Sequence, residues 1–171
     1  DGPRVHALEP SAGIGRFLHA FADVPDLTWH AVEWSELSAR MLRALRPELD
    51  LTIGPFERWV RERGQAMQGR LGLVVSNPPY VAEPDPHWPG LRHEPRLALA
   101  AGPDGLDALR WLVAHAADHL NPGGWLLLEH GHDQADAVQT LMRAQGWQQV
   151  QSRLDEADIR RCTGACTPGV K

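Results

Sequence analysis

Two residue clusters in this chain combine types and spacings that could carry chemistry. The first is Ser76-Asn77-Pro78-Pro79-Tyr80, which follows the apolar run Leu71 to Val75. Two prolines directly after a buried strand fix the backbone, leaving the Asn77 side chain and the Pro78 carbonyl facing outward. A carboxamide oxygen and a backbone carbonyl are two acceptors, matched to the two N–H bonds of a planar NH₂ group. Tyr80 adds a ring face on which such a group can stack. Held this way, an sp² nitrogen turns its lone pair toward an incoming methyl carbon. The rate gain comes from position and exclusion of water rather than from an acid–base pair. Asn77, Pro78, Pro79 and Tyr80 are the expected catalytic residues. The alternative is a proline-rich loop in which Asn77 satisfies its own turn.

The second cluster is Glu9-Pro10-Ser11-Ala12-Gly13-Ile14-Gly15-Arg16-Phe17. Small residues at Ser11, Gly13 and Gly15 make a turn poor in Cβ atoms between a strand and a helix, where a ligand can approach the backbone. No third glycine follows, so this is not the dinucleotide fingerprint. Glu9 is a poor neighbour for a pyrophosphate and a good one for a cation such as the amino group or sulfonium of S-adenosylmethionine. About twenty residues on, Glu33 closes the next strand, where an acid can accept both ribose hydroxyls. Phe56 stands after the third strand, where an adenine ring would stack, although a lone aromatic at such a place is more often part of the core. The expected cofactor contacts are Glu9, Ser11, Gly13, Gly15, Glu33, Phe56 and Asn77. The plainer reading is a tight turn and a solvated strand end.

The elements that must position these clusters follow from apolar periodicity. Strands are expected at Arg4 to Leu8, Leu27 to Val32, Leu49 to Ile53, Leu71 to Ser76, Trp125 to Leu128 and Trp147 to Arg153. Helices are expected at Gly15 to Phe21, across Leu37, Met41, Leu42 and Leu45, and at Arg58 to Met67. Two more are expected: one capped by Asp104 and ending near Asn121 to Gly124, and one from Gln134 to Ala144. Between Asn77 and Gly102, six prolines mark a long ordered loop. This alternation predicts an α/β fold, a Rossmann-like doubly wound, mostly parallel sheet of about seven strands with helices on both faces. Residues 1–171 are read as one domain, and the start at Asp1 rather than Met leaves a longer native chain open.

Composition narrows the class. With 43% hydrophobic and 23% charged residues, the chain has the makings of a packed core, which excludes disordered and fibrous classes. A net charge of −5 argues against nucleic acid as a free-standing partner. The two cysteines, Cys162 and Cys166, make no disulfide scaffold, suit a reducing cytoplasm, and are expected as thiols in an edge strand or tail. No apolar run approaches the ~20 residues of a membrane span.

The tetrapeptide Asn77-Pro78-Pro79-Tyr80 after an apolar strand, with the turn from Glu9 to Gly15, resembles the class I S-adenosylmethionine-dependent methyltransferases that modify planar amino groups. Two subfamilies share the tetrapeptide: adenine-amino DNA methyltransferases and glutamine methyltransferases acting on peptide-chain release factors. The stretch Glu94-Pro95-Arg96-Leu97-Ala98-Leu99, then Gly102-Pro103-Asp104-Gly105-Leu106, is similar to the second. So is Asn121-Pro122-Gly123-Gly124-Trp125-Leu126-Leu127-Leu128-Glu129 with Gly131 and Gln134. Glu9-Pro10-Ser11-Ala12-Gly13 looks closer to the DNA-modifying relatives. The resemblance implies methyl transfer to a glutamine amide of a release factor, with adenine methylation and a non-catalytic cofactor module as alternatives. It implies no metal, and His130, His132 and Asp133 fall short of a ligand set. Arg160 and Arg161 read as a solvated pair. Trp29, Trp111, Trp125 and Trp147 read as core, and Trp88 as either a cover for the substrate or an exposed loop aromatic.

Overall fold

The computed structural model describes residues 4–91, 93 and 96–169, so Glu94 and Pro95 of the stretch above lie outside the described residues. Among the described residues seven strands form one sheet. They are β1 Val5–Glu9, β2 Leu27–Glu33, β3 Asp50–Ile53, β4 Leu71–Ser76, β5 Leu120–Glu129, β6 Gln148–Leu154 and β7 Arg160–Cys166. The order is β3-β2-β1-β4-β5-β7-β6. The pairs from β3 to β5 are parallel, whereas β7 runs antiparallel to both of its neighbours. The expected mostly parallel α/β sheet is therefore present. Its last two strands form an antiparallel extension of the parallel half.

The helices are α1 Arg16–Ala20, α2 Glu36–Leu45, α3 Phe56–Trp59, α4 Gln65–Met67, α5 Asp107–His115 and α6 Ala135–Ala144. A π-helical turn, Val60–Gly64, joins α3 to α4. Strand alternation sends Ala31 and Val32 to opposite faces, and a separate apolar cluster forms on each. The larger packs Leu8, Val74, Leu126 and Leu128 of the strands against Trp59, Leu109, Leu112, Val138 and Met142. The smaller packs Ala12, Leu18, Ala31 and Leu42 under α1 and α2.

Several local expectations are corrected. Leu37, Met41 and Leu45 lie on the outer face of α2, at 70, 47 and 67% exposure, because only Ala39 and Leu42 face the sheet. Asp104 does not cap α5. Its carboxylate accepts from Leu106 N at 3.1 Å and is paired with Arg110, and the helix starts at Asp107. That helix ends at His115, and Asn121 to Gly124 already belong to β5. Cys162 and Cys166 are free thiols in β7, which is interior to the sheet rather than an edge or tail. Trp111 is 41% exposed, whereas Trp147 is buried with its indole N–H donating to Val113 O at 3.0 Å. The proline-rich loop is ordered by two 3₁₀ turns, Trp88–Leu91 and Arg96–Ala98, and by a bridge between Val81 and Ala100.

Candidate functional site

Strand order decides where the two clusters meet. From β1 the chain winds outward through β2 to β3, and from β4 it winds the other way, so β1 and β4 flank the topological switch point. Ligands of open α/β sheets bind in the crevice at the carboxyl ends of such strands. Glu9 ends β1 and Ser76 ends β4. Residues 65 apart in sequence touch there, with the Ser11 and Ser76 hydroxyls 3.2 Å apart and Ser11 Oγ donating to Asn77 O at 3.3 Å.

The turn after β1 is tied to β2. Ala12 N donates to Val32 O at 2.8 Å, and Gly13 N donates to Glu33 Oε2 at 2.6 Å. Ser35 N donates to the other oxygen of Glu33, also at 2.6 Å, so the buried carboxylate is oriented by two amides. Gly15 has φ +83°, and a Cβ there would stand 2.7 Å from Leu42 Cδ1, so both backbone and packing favour glycine. Glu9 is 2% exposed, and its Oε2 has no hydrogen-bond partner among the described residues. Burial, reinforced by the Glu33 charge, pushes its carboxyl up to about 8.

At the end of β4, Pro78 is buried while Asn77 is exposed beside the Ser11 hydroxyl. Tyr80 is half-buried and is held at both ends. Its carbonyl accepts from Gln134 Nε2 at 3.0 Å, and its hydroxyl accepts from the Arg161 guanidinium at 3.1 Å. Arg161 also lies 5.5 Å from the ring centroid. Next to this pair a cleft of about 480 Å³ opens on the α1 face, lined by Phe17, Phe21, Val75, Leu127, Glu129 and Arg161 among others.

The expected residues Glu9, Ser11, Gly13, Gly15, Glu33, Asn77, Pro78, Pro79 and Tyr80 thus come from three strand ends, those of β1, β2 and β4, at the carboxyl edge of the sheet. Phe56 stacks on Trp59 at 5.6 Å between centroids and meets Trp111 edge-on at 5.5 Å, packed against the larger core. Trp88 folds back on its own loop, its indole N–H donating to Ala82 O at 2.8 Å and its ring stacked by Arg96.

His130 is buried within the protein, with Thr163 Oγ1 at 2.8 Å and Gly131 O at 2.9 Å, and burial lowers its pKa. Among the described residues no group of three or more His, Cys, Asp or Glu is arranged to hold a metal, and no helix is long and apolar enough to cross a membrane.

Arg161 corrects the reading of a solvated pair. Arg160 pairs with Asp136 at 2.6 Å, while Arg161 turns to Tyr80. Alternation within a strand sends neighbours to opposite faces, and that signal was available in the sequence once β7 was recognised. Gln134 is the other residue missed as a site contact, since its reach to Tyr80 depends on tertiary structure.

No protein-family model matches the chain. The chain is similar to the release factor glutamine methyltransferase of Xylella fastidiosa (strain Temecula1), 54% identical over 103 residues, covering 58% of this chain and 37% of the relative. It is similar to the enzyme of the same name from Vibrio cholerae, 39% identical over 144 residues, covering 75% of this chain and 50% of the relative. The chain thus spans about a third to a half of the length of the curated relatives it matches. The solved structure of a release-factor-specific protein-(glutamine-N5) methyltransferase from Alicyclobacillus acidocaldarius superposes with a TM-score of 0.56 at 25% identity, covering 98% of this chain and 82% of that one. The chain is thus similar in sequence to release factor glutamine methyltransferases over part of their length, and it shares the fold of one of them over nearly its whole own length.

Proposed function

We propose that this chain methylates the side-chain amide of a glutamine in a peptide-chain release factor, with S-adenosylmethionine as methyl donor. The observation that carries the reading is the meeting of the Ser76 to Tyr80 exit with the Glu9 to Gly15 turn at the β1/β4 switch point, in a chain similar to these methyltransferases.

The residues present fit the cofactor. Glu9 offers a buried carboxylate oxygen without a partner, suited to a cationic group. Gly13 leaves open space where a side chain would stand. The Glu33 carboxylate, already oriented by two amides, keeps lone pairs for the ribose hydroxyls. S-adenosylmethionine supplies an electrophilic methyl group when bound. Asn77 Oδ1 and the Pro78 carbonyl accept the two N–H bonds of the glutamine amide, which sets its nitrogen lone pair toward that methyl. Asn77 and the Pro78 carbonyl would hold the amide while its nitrogen takes that methyl, with the cofactor's sulfur as leaving group, and one of the amide protons leaves to solvent. Tyr80 covers the planar amide with its ring. Phe56, committed to the core, leaves the adenine to other residues.

The test offers labelled S-adenosylmethionine to purified protein with either release factor or DNA. Label on a glutamine of the release factor is expected. Label on adenine, with the release factor unmodified, would transfer the assignment to the DNA-modifying relatives that the Glu9-Pro10-Ser11 turn resembles.

A further inference from the structure

Gln134 lies at the start of α6, 9% exposed, and none of the steps above uses it. Its one carboxamide ties three segments together. Oε1 accepts from Gly131 N at 2.8 Å, while Nε2 donates to Tyr80 O at 3.0 Å and to Gly105 O at 3.3 Å. Reversing the amide would set N–H against N–H and oxygen against two carbonyls, so the contacts themselves fix its orientation.

The third segment is shaped to allow this. Gly105 has φ +74°, and a Cβ on it would collide with the Tyr80 carbonyl and stand 2.8 Å from Gln134 Nε2. Beyond Tyr80, Val81 N donates to Leu99 O at 2.8 Å and Ala101 N to Val81 O at 3.0 Å, which anchors the chain immediately downstream. At the other end of the tyrosine side chain Arg161 holds the hydroxyl at 3.1 Å.

We infer that Gln134 is a positioning residue for methyl transfer. Through the Tyr80 carbonyl it fixes the exit of β4, and with Arg161 it sets both the height and the tilt of the Tyr80 ring over the acceptor amide. The inference rests on the proposed function for its catalytic consequence. Its structural half, that the Tyr80 segment is held by this carboxamide, stands apart from it. Buried polar groups that lose their partner do not find water, so the tie is strong enough to define one conformation.

The experiment uses the full chain with Gln134→Met, which keeps length and removes all three bonds, and Gln134→Glu, which keeps an acceptor for Gly131 N–H but no donor for the two carbonyls. Displacement of the reacting geometry by about 1 Å lowers the rate on the order of 100-fold. Both variants are therefore expected to lose about that much kcat, with cofactor Kd and acceptor KM within about threefold of wild type. Amide hydrogen exchange should accelerate about tenfold or more at Tyr80 to Ala82 and stay unchanged at Ala7 to Glu9.

Unchanged exchange at Tyr80 to Ala82 overturns the inference, as does a kcat within threefold of wild type. A cofactor Kd that weakens in step with kcat also overturns it, as does failure of both variants to fold, since either assigns Gln134 to general stability. A wild-type chain that methylates no glutamine refutes the proposed function instead, and the exchange measurement then decides the structural half alone.

Discussion

Under the proposed function Glu9 serves binding and Asn77 serves transfer, and each can be tested alone. A carboxyl raised to about 8 by burial is mostly protonated at neutral pH in the ligand-free protein. The folded state then binds a proton that the unfolded chain releases above about 4.5. The stabilisation from this group is therefore complete below about pH 4.5 and is lost as pH rises through about 8. Glu9→Gln should flatten that dependence and raise Tm at pH 9, which thermal unfolding across pH will show. A cationic ligand prefers the ionised carboxylate, so its affinity should rise with pH up to about 8. Near pH 7 its binding should release close to one proton, measurable by calorimetry in buffers of different ionisation enthalpy. Asn77, exposed beside Ser11, has no such burden of folding. Asn77→Ala should lower kcat about 100- to 1,000-fold and leave cofactor affinity within about twofold.

At the scale of elements, α2 and β7 behave differently from what their sequences suggest. Leu42 is 1% exposed, and Leu42→Ala should destabilise the fold by about 2–5 kcal/mol. Leu37→Glu and Leu45→Glu, on the outer face of the same helix, should each shift Tm by less than about 2 °C. His130 joins β5 to β7 through Thr163, so His130→Ala should cost about 2–4 kcal/mol from lost hydrogen bonds and a cavity, read by denaturant unfolding.

The parallel half was legible because each strand there is a short apolar run followed by a punctuating turn. The turns after β1 and β4 also carry the proposed site, so their meeting at the switch point was legible with the strands. In the antiparallel half β6 was legible in the same way, but β7 was not. Arg-Arg-Cys-Thr-Gly-Ala-Cys has no apolar run, and its insertion between β5 and β6 is decided by long-range pairing, as Leu127 opposite Gly164 illustrates. Leu37, Met41 and Leu45 match helical spacing, but periodicity alone does not say how much of a helix the sheet covers. Phe56 was placed correctly after β3, yet the ring partners that turn it inward, Trp59 and Trp111, are visible only in three dimensions.

Across the whole molecule, the proposed function puts binding and transfer at one edge of the sheet, with the two halves of the sheet supplying different parts. The β1–β2 side brings Glu9, Gly13 and Glu33. The β4 exit brings Asn77 to Tyr80, and the antiparallel half steadies it through Arg161. Cofactor binding and methyl transfer should therefore be separable by mutation. Calorimetric titration of the folded chain with S-adenosylhomocysteine, the demethylated product, tests this most directly when run on wild type, Glu33→Ala and Asn77→Ala. The account predicts one site per chain in wild type, binding at least tenfold weaker in Glu33→Ala, and near-normal binding in Asn77→Ala. No uptake by well-folded wild-type protein would contradict it.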